Sequence, residues 1–295
     1  MPRATRVSVK ATEVESPAPS TTPNSVPEHL AGTVLKVVRE TPVWDSGDYL
    51  KFERERTLPC RDLVARIELG SPKTIVDLGC GPGNSTSVLA ERWPHARITG
   101  VDNSEEMLRT ARASPLRAEW LLRDISDWTP SSPLDLVFSN AALQWVPHHE
   151  SEIPRLFRHV SQDGAFAFQI PSGEGSWTKA IRAVSDSSEW RGVLSEDLVD
   201  LRTQDLPYYY GLLAPLARRV ELWETSYVHV FPGPASVVEW TRGSALRPIL
   251  QRLPQERRPA FIRDYLLAIE EAYPRLRDGK VLFPFLRRFV VAYRK

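Results

Sequence analysis

Short apolar segments alternate with segments of helical spacing between residues 74 and 170, and this alternation restricts the fold more than any other feature. Strands are expected at Thr74–Leu78, Arg97–Val101, Glu119–Leu122, Leu134–Ser139 and Ala165–Ile170. Helices are expected between them at Asn84–Arg92, Glu105–Ala113 and Ile153–Val160. Strands that alternate with helices form an open, mostly parallel sheet covered on both faces, because each crossover is right-handed. The alternation therefore predicts a doubly wound α/β fold.

The alternation ends at Pro171, and the rest of the chain follows another pattern. Residues 172–217 and 235–280 have helical character, whereas Val220–Phe231 and Arg288–Tyr293 are rich in β-forming residues. Two late strands would complete a seven-stranded sheet as an antiparallel pair. We expect the two helical segments to form a cap, inserted before the last strand and lying over the strand ends.

The first 40 residues differ from all that follows. They contain several prolines among small residues and no aromatic side chain, which predicts a disordered tail. Residues 41–295 are then expected to form one domain. Residues 49–67 have mostly helical spacing, which predicts one or two short helices with Pro59 at a break or a helix start.

Charge and cysteine content exclude several classes of protein. Basic residues number 38 and acidic residues 37, so no basic footprint for nucleic acid is expected. Two cysteines, Cys60 and Cys80, cannot build a disulfide framework and favour a reducing, cytoplasmic compartment. No apolar run is long enough to span a membrane, and no His, Cys and Asp cluster has metal-ligand spacing. A monomer or weak homodimer is expected.

The strongest motif is Asp77-Leu-Gly-Cys-Gly-Pro-Gly83, which follows the first predicted strand. Its glycines allow the backbone to approach a ligand without a Cβ in the way. The spacing G-x-G-x-G differs from the G-x-G-x-x-G of dinucleotide-binding oxidoreductases and from a Walker loop. Asp77 would repel a pyrophosphate and suits a cationic ligand. Cys80 is interpreted as a small residue in a tight turn rather than a nucleophile.

Polar residues follow three further strands and meet the glycine loop at one edge of the predicted sheet. Asp102 ends the second strand, where an acid can accept hydrogen bonds from ribose hydroxyls. After the third strand, Asp124 can accept from an adenine amino group while Ile125 lies on the ring face. The segment Ser139–Trp145 reaches the same cleft from the fourth strand.

Together these motifs resemble the class I S-adenosylmethionine-dependent methyltransferases. Over about residues 44–295 the resemblance is to the trans-aconitate methyltransferase family, through WDSGDYLKFERER, DLGCGPGNST, RWPHARITGVDNS, NAALQWVP, YYYGLL, WETSYVHVFP and FVVAYR. It implies S-adenosyl-L-methionine as the cofactor and esterification of a carboxylate of a small organic acid. The segment Ile170–Glu174 departs from the family pattern, which keeps open methylation of another small molecule at O, N or C.

The resemblance implies two groups of site residues. The cofactor-binding residues are expected to be Arg56, Asp77, Gly79, Cys80, Gly81, Gly83, Asp102, Asn103, Met107, Asp124, Ile125 and Asn140. The substrate-binding residues are expected to be Tyr49, Arg56, Trp145, Tyr209, Trp240, Arg247 and Arg287. At least two of the three arginines should bind substrate carboxylates, since the guanidinium fork suits them.

No catalytic acid or base is predicted, because a carboxylate is already anionic at neutral pH. Asn140, Gln144 and Trp145 are expected to position the reactants. His229 is expected to be a structural hydrogen-bonding residue. Two other classes remain as alternatives: a module that binds the cofactor without turnover, and a dinucleotide oxidoreductase, which the glycine spacing disfavours.

Overall fold

The computed structural model describes residues 52–191, 193–194 and 203–295. The predicted tail and Tyr49 lie outside the described residues. The strands are β1 (Thr74–Leu78), β2 (Arg97–Asp102), β3 (Glu119–Leu122), β4 (Leu134–Asn140), β5 (Val160–Pro171), β6 (Ala217–Phe231) and β7 (Val281–Arg294). The α-helices are α1 (Glu53–Arg66), α2 (Asn84–Arg92), α3 (Glu105–Ala113), α4 (His149–Arg158), α5 (Ser176–Ser185), α6 (Leu206–Leu213), α7 (Pro234–Arg242), α8 (Arg247–Arg252) and α9 (Arg258–Ala272). Short 3₁₀ turns cover Leu143–Trp145 and Gln255–Arg257.

All seven strands belong to one sheet in the order β3-β2-β1-β4-β5-β7-β6. Strands β1 to β5 pair in parallel, whereas β7 runs antiparallel to both β5 and β6. The order reverses between β1 and β4, and the crevice outside the carboxyl ends of such strands is where open α/β sheets bind ligands. The predicted doubly wound, seven-stranded sheet is confirmed.

Between residues 74 and 122 the predicted bounds agree with the structure to within one residue. Local signals explain this agreement. The Ser104 side chain accepts the backbone N–H of Met107 at 3.3 Å and so caps α3. Glu105 and Glu106 then lie in the first turn, where negative charge stabilises a helix.

Two helices differ from the prediction. Pro59 neither starts nor breaks a helix, because α1 is continuous from Glu53 to Arg66 and contains Pro59 inside it. Helix α4 begins at His149 and ends at Arg158, four and two residues earlier than expected. The early end follows from the sheet, because β5 already begins at Val160 and pairs there with Leu134.

The last strand is also longer than expected and begins at Val281 instead of Arg288. Pro284 obscured it in the sequence, since a proline is excluded from the middle of a sheet. The ladder between β5 and β7 stops at the pair Pro171 and Arg287, so at Pro284 strand β7 has β6 as its one paired neighbour. At that point β7 is an edge, and an edge strand tolerates proline.

The helices that follow β5 and β6 pack together on an aromatic cluster. The cluster contains side chains of α5, α7, α9, β6 and β7. Trp190 Nε1 donates to Asp264 at 3.0 Å, and the Trp177 backbone N–H donates to the Tyr273 hydroxyl at 3.1 Å. Both contacts join the first helical segment to the second. Among the helices of the described residues, none has the length and apolarity needed to cross a bilayer.

Candidate active site

The glycine loop after β1 lies against the loop after β4. The Gly79 backbone N–H donates to the Val101 carbonyl at 2.7 Å, and Gly79 has φ +71°. A Cβ added at Gly79 would lie 2.1 Å from the Ala142 Cβ. Only glycine therefore allows the two loops to approach this closely.

Asp77 lies beneath the glycine loop and is fully buried. Its Oδ2 accepts the hydroxyls of Ser85 and Thr86, both at 2.7 Å, which ties β1 to the first turn of α2. Its Oδ1 is buried with no hydrogen-bond partner in the described part of the chain. Burial raises the pKa of Asp77 to about 6. The described contacts of Asp77 are thus with the scaffold of the loop.

Asp102 and Asp124 connect the ends of β2 and β3 to the glycine loop. Asp102 Oδ2 accepts the Gly81 backbone N–H at 2.8 Å, and its Oδ1 accepts that of Ser104 at 2.9 Å. Burial raises the pKa of Asp102. Asn103 donates to Asp124 Oδ2 at 2.9 Å. The two predicted cofactor acids therefore stand at adjacent strand ends, each oriented by donors.

Other predicted cofactor residues surround these acids. Ile125 Cδ1 lies 3.6 Å from the position of a Cβ at Gly79, so this side chain borders the glycine loop. Met107 is buried in α3, and Asn103 is exposed. Burial raises the pKa of the Cys80 thiol well above its usual range, which agrees with its interpretation as a small turn residue.

Asn140 is oriented by a residue that the sequence analysis missed. Gln169 Nε2 donates to Asn140 Oδ1 at 2.7 Å, which leaves the amide NH₂ of Asn140 for other partners. The register pairs these two residues across β4 and β5. A lone glutamine in the apolar strand Ala-Phe-Ala-Phe-Gln-Ile was the signal available. Gln144 Nε2 donates to the Ala141 carbonyl at 2.6 Å, while its buried Oε1 has no partner among the described residues.

A small opening lies between α1, the glycine loop and the end of β4. It is lined by Arg56, Thr57, Cys60, Gly79, Cys80, Asn84, Ser85 and Asn140. Arg56, from the helix that precedes the sheet, therefore meets the glycine loop and Asn140 in space. We call the loops that bear Gly79–Gly83, Asp102, Asp124 and Asn140 the cofactor side of the site.

Arg56 also borders a second group of residues, formed with Trp240, Arg287 and His229, which we call the acid side. The Arg56 guanidinium lies 4.7 Å from the centroid of the Trp240 ring and donates to the Trp240 carbonyl at 3.2 Å. Arg287 is 4% exposed, and its guanidinium lies 4.5 Å from the Phe285 ring. The Phe285 and Trp240 rings are 5.6 Å apart.

His229 lies among these groups, with its ring 4.9 Å from the Trp240 ring. Burial and the positive charges of Arg287 and Arg56 lower its pKa to about 4, with Glu55 acting in the opposite direction. The imidazole is thus neutral at pH 7. The structural hydrogen bond expected for His229 is not found among residues 52–191, 193–194 and 203–295.

Three predicted substrate residues are not brought into the acid side by described contacts. Tyr209 is buried in another apolar cluster, where its hydroxyl contacts His149 at 2.9 Å. Trp145 lies in the 3₁₀ turn after β4 and is half-buried. Arg247 begins α8 and is also half-buried.

Arg288, next to Arg287, faces the opposite side of the sheet because strand side chains alternate. Its guanidinium binds Glu224 at 2.8 Å and Glu174 at 3.0 Å. Glu174 belongs to the segment that departs from the family pattern. The glutamate of this segment therefore forms an ion pair with Arg288, on the face of the sheet opposite Arg287.

The cofactor side fits S-adenosyl-L-methionine. A Cβ built at Gly81 meets no atom within 4 Å, so the loop backbone faces open space beside Asp102. Carboxylates at the ends of β2 and β3 suit the hydroxyls of a ribose and the amino group of an adenine. The buried Oε1 of Gln144 is an acceptor without a partner in the described residues.

Comparison with known proteins agrees with this fit. A family profile described as "Methyltransferase domain" matches residues 75–164. The YcgJ protein from Bacillus subtilis shares the fold with a TM-score of 0.53 and 13% identity, over 82% of this chain and 98% of that one. Phosphoethanolamine N-methyltransferase 2 from Haemonchus contortus gives a TM-score of 0.51 at 14% identity, over 84% and 57%.

Curated relatives match almost their whole length. A trans-aconitate 2-methyltransferase from Azoarcus sp. (strain BH72) is 44% identical over 86% of this chain and 100% of the relative. One from Variovorax paradoxus (strain S110) is 43% identical over 85% and 98%, and one from Yersinia pestis is 39% identical over 85% and 98%.

Fold and site define a class I S-adenosylmethionine-dependent methyltransferase, so the predicted enzyme class and cofactor are confirmed. The identity to the curated relatives is more specific. This chain belongs to the trans-aconitate 2-methyltransferase family.

Proposed function

We propose that this enzyme transfers a methyl group to a carboxylate of trans-aconitate and releases its monomethyl ester. The observation that carries the proposal is the position of Arg56, which borders both the glycine-loop cleft and the acid side that contains Arg287. Arg56 borders the cleft and lies over the Trp240 ring. Arg287 lies over the Phe285 ring, which is next to the Trp240 ring. Two guanidinium groups beside buried aromatic rings suit an acid with several carboxylates.

Cofactor binding is assigned to the loops of the cofactor side. Gly79, Gly81 and Gly83 would admit the methionine portion close to the backbone, and Asp102 would accept from the ribose hydroxyls. Asp124 and Ile125 would bind the adenine by its amino group and its face. The bound cofactor would supply a sulfonium methyl group; a carboxylate oxygen would bond to the methyl carbon in line with the breaking C–S bond, and S-adenosylhomocysteine would leave.

The chain's own contribution is positioning and exclusion of water. A substrate carboxylate needs no general base, so no titrating side chain has to remove a proton during transfer. Asn140, oriented by Gln169, lies where the cofactor side meets Arg56 and can hold the reacting oxygen by its amide NH₂. Arginines that bind the other carboxylates restrict the acid to one orientation, and orientation of this kind lowers the barrier substantially.

The altered segment Ile170–Glu174 gives no support for another acceptor. Glu174 pairs with Arg288 on the face of the sheet opposite Arg287. A substrate on the acid side would therefore not meet this carboxylate across the sheet. An organic acid remains the acceptor that the arginines favour.

The test is an incubation of the purified enzyme with labelled S-adenosyl-L-methionine and a panel of carboxylic acids, read by mass spectrometry. We expect a base-labile methyl ester with trans-aconitate and much slower turnover with monocarboxylic acids. Labelled product from an amine or a phenol, with none from any acid, would contradict the proposal.

We also infer that the enzyme works in the cytoplasm on a small diffusible acid, as a monomer or a weak homodimer. A net charge of +1 and two buried free cysteines support this setting. Size-exclusion chromatography with light scattering across a range of concentrations tests the oligomeric state. A tight dimer at nanomolar concentration would contradict it.

A further inference from the structure

His229 is the polar side chain of the acid side that the reaction, as derived above, does not use. It projects from β6 on the same sheet face as Tyr227 and Phe231, and it is opposite Phe283 in the β6–β7 ladder. Its ring lies 4.9 Å from Trp240, 5.8 Å from Phe231 and 6.3 Å from Phe283. Three aromatic rings therefore restrict the imidazole to one place.

Aromatic rings surround this imidazole, and the charged groups that act on it are Arg287, Glu55 and Arg56. No hydrogen bond from the described residues reaches Nδ1 or Nε2, and neither nitrogen is among the buried polar atoms that lack a partner. The nitrogens therefore keep some access to the space beside the ring, although His229 as a whole is 8% exposed. Packing alone does not account for an imidazole here, because a phenyl ring would fill the same space without a polar atom.

The charge around the ring also points to an anionic ligand. Burial is the main cause of the low pKa of His229; Arg287 lowers it further, while Glu55 raises it and Arg56 lowers it. A neutral imidazole always carries one N–H donor, so it adds a directed hydrogen bond without adding a third positive charge. A ligand with several carboxylates would contact two guanidinium groups and one neutral N–H donor beside the same group of aromatic rings.

We propose that His229 is a specificity-determining residue that donates a hydrogen bond to one carboxylate of the bound acid. This inference rests on the proposed function, since it assumes a polycarboxylate on the acid side. Arg56 and Arg287 would supply attraction for any such acid. His229 would distinguish acids that carry a carboxylate at one particular position of the carbon skeleton from acids that lack it.

Three dicarboxylic acids test this, because each lacks a different carboxylate of trans-aconitate: glutaconate, itaconate and mesaconate. Affinities of all four acids are measured by calorimetry for the wild type, His229→Phe and His229→Gln, each saturated with S-adenosylhomocysteine. The matched control is His95→Gln, since His95 is exposed and away from the site.

We expect His229→Phe to weaken trans-aconitate and two of the dicarboxylates by roughly 10-fold or more, the loss typical of a hydrogen bond to a charged group. The third dicarboxylate, which lacks the contacted carboxylate, should bind both proteins equally. His229→Gln keeps a donor and should recover part of the loss. Affinity for S-adenosylhomocysteine should be the same in all variants.

An equal loss for all four acids, or no loss for any, overturns the inference while leaving the proposed function in place. Absence of acid binding by the wild type instead overturns the proposed function, and the inference with it. If His229→Phe fails to fold, the imidazole nitrogens of the wild type are followed by NMR. A shift of the His229 nitrogens on adding trans-aconitate, absent with one dicarboxylate, supports the inference, and an unchanged spectrum overturns it.

Discussion

The two sides of the active site are built by different means. The cofactor side consists of four loops that follow β1, β2, β3 and β4, so each functional residue is adjacent in sequence to the strand that positions it. Backbone groups dominate its contacts, such as the N–H of Gly81 on Asp102 and of Gly79 on the Val101 carbonyl. The acid side takes one residue each from α1, β6, α7 and β7, which are up to 231 residues apart, from Arg56 to Arg287.

This difference separates what a local pattern can encode from what requires packing. A glycine loop works through backbone conformation, which neighbouring residues determine. The acid side works through side chains that cross an aromatic cluster, so its composition depends on the paths of distant segments. Substitutions on the two sides should therefore fail differently, the first through the loop's conformation and the second through substrate affinity.

The largest effect is expected on the acid side, from Arg287→Leu. Loss of a buried guanidinium that binds a carboxylate costs about 2–5 kcal/mol, so kcat/KM for the acid should fall by roughly 30-fold to several thousand-fold. Affinity for S-adenosyl-L-methionine, measured by calorimetry, should be unchanged. The control is Arg242→Leu, which removes an exposed arginine of α7. Equal losses in the two variants would show that general electrostatic attraction, and not a specific contact, is responsible.

Gly79→Ala should damage the cofactor side by conformation. Its Cβ would overlap the Ala142 Cβ and its φ is +71°, so overpacking and left-handed strain together cost about 2–5 kcal/mol of unfolding free energy. Gly81→Ala, at φ +54° with nothing within 4 Å, should show the strain alone, about 1–2 kcal/mol. Urea denaturation measures both. Adding Ala142→Gly to Gly79→Ala should recover the overpacking part, and no recovery would refute the steric explanation.

Asp102→Ala should weaken cofactor binding by about 1–3 kcal/mol, because ribose hydroxyls lose a charged acceptor. The structure adds a second effect. Both carboxylate oxygens hold backbone N–H groups, of Gly81 and Ser104, so the loop should also become more mobile. Calorimetry gives the affinity, and hydrogen exchange at Gly81 gives the mobility. Unchanged affinity would refute the assignment of Asp102 to the ribose.

The smallest effect concerns pH and Asp77. Its folded pKa of about 6 exceeds the ordinary value for an aspartate, so the folded state holds the proton more tightly. Stability from this group is therefore present at low pH and is lost as pH rises through about 6, by about 1 kcal/mol between pH 5 and pH 7. Asp77→Asn should lack this fall in the unfolding free energy, whereas Asp127→Asn, at an exposed site, should retain it. Parallel pH profiles for Asp77→Asn and the wild type would contradict the assignment.

The sequence predicted the cofactor half of the fold nearly residue by residue, because its strands, caps and glycines are local signals. The predicted start of the last strand was wrong, because it depends on which strands pair with β7. At Pro284 strand β7 is an edge of the sheet, where proline is tolerated. Tyr209, predicted among the substrate residues, packs in a different cluster and contacts His149, and its assignment stays a prediction. Gln169 was missed because its partner, Asn140, lies on the adjacent strand.

By itself, the sequence determined the doubly wound sheet, the glycine loop and the acids at the ends of β2 and β3, since each of these depends on residues within one or two turns of chain. Only the tertiary structure decided where the arginines lie. Arg287 and Arg288 are neighbours in sequence, yet strand alternation turns one toward Phe285 and the other toward Glu174 and Glu224. Arg56 reaches the glycine loop because α1 packs beside it, and no spacing in the chain records that contact.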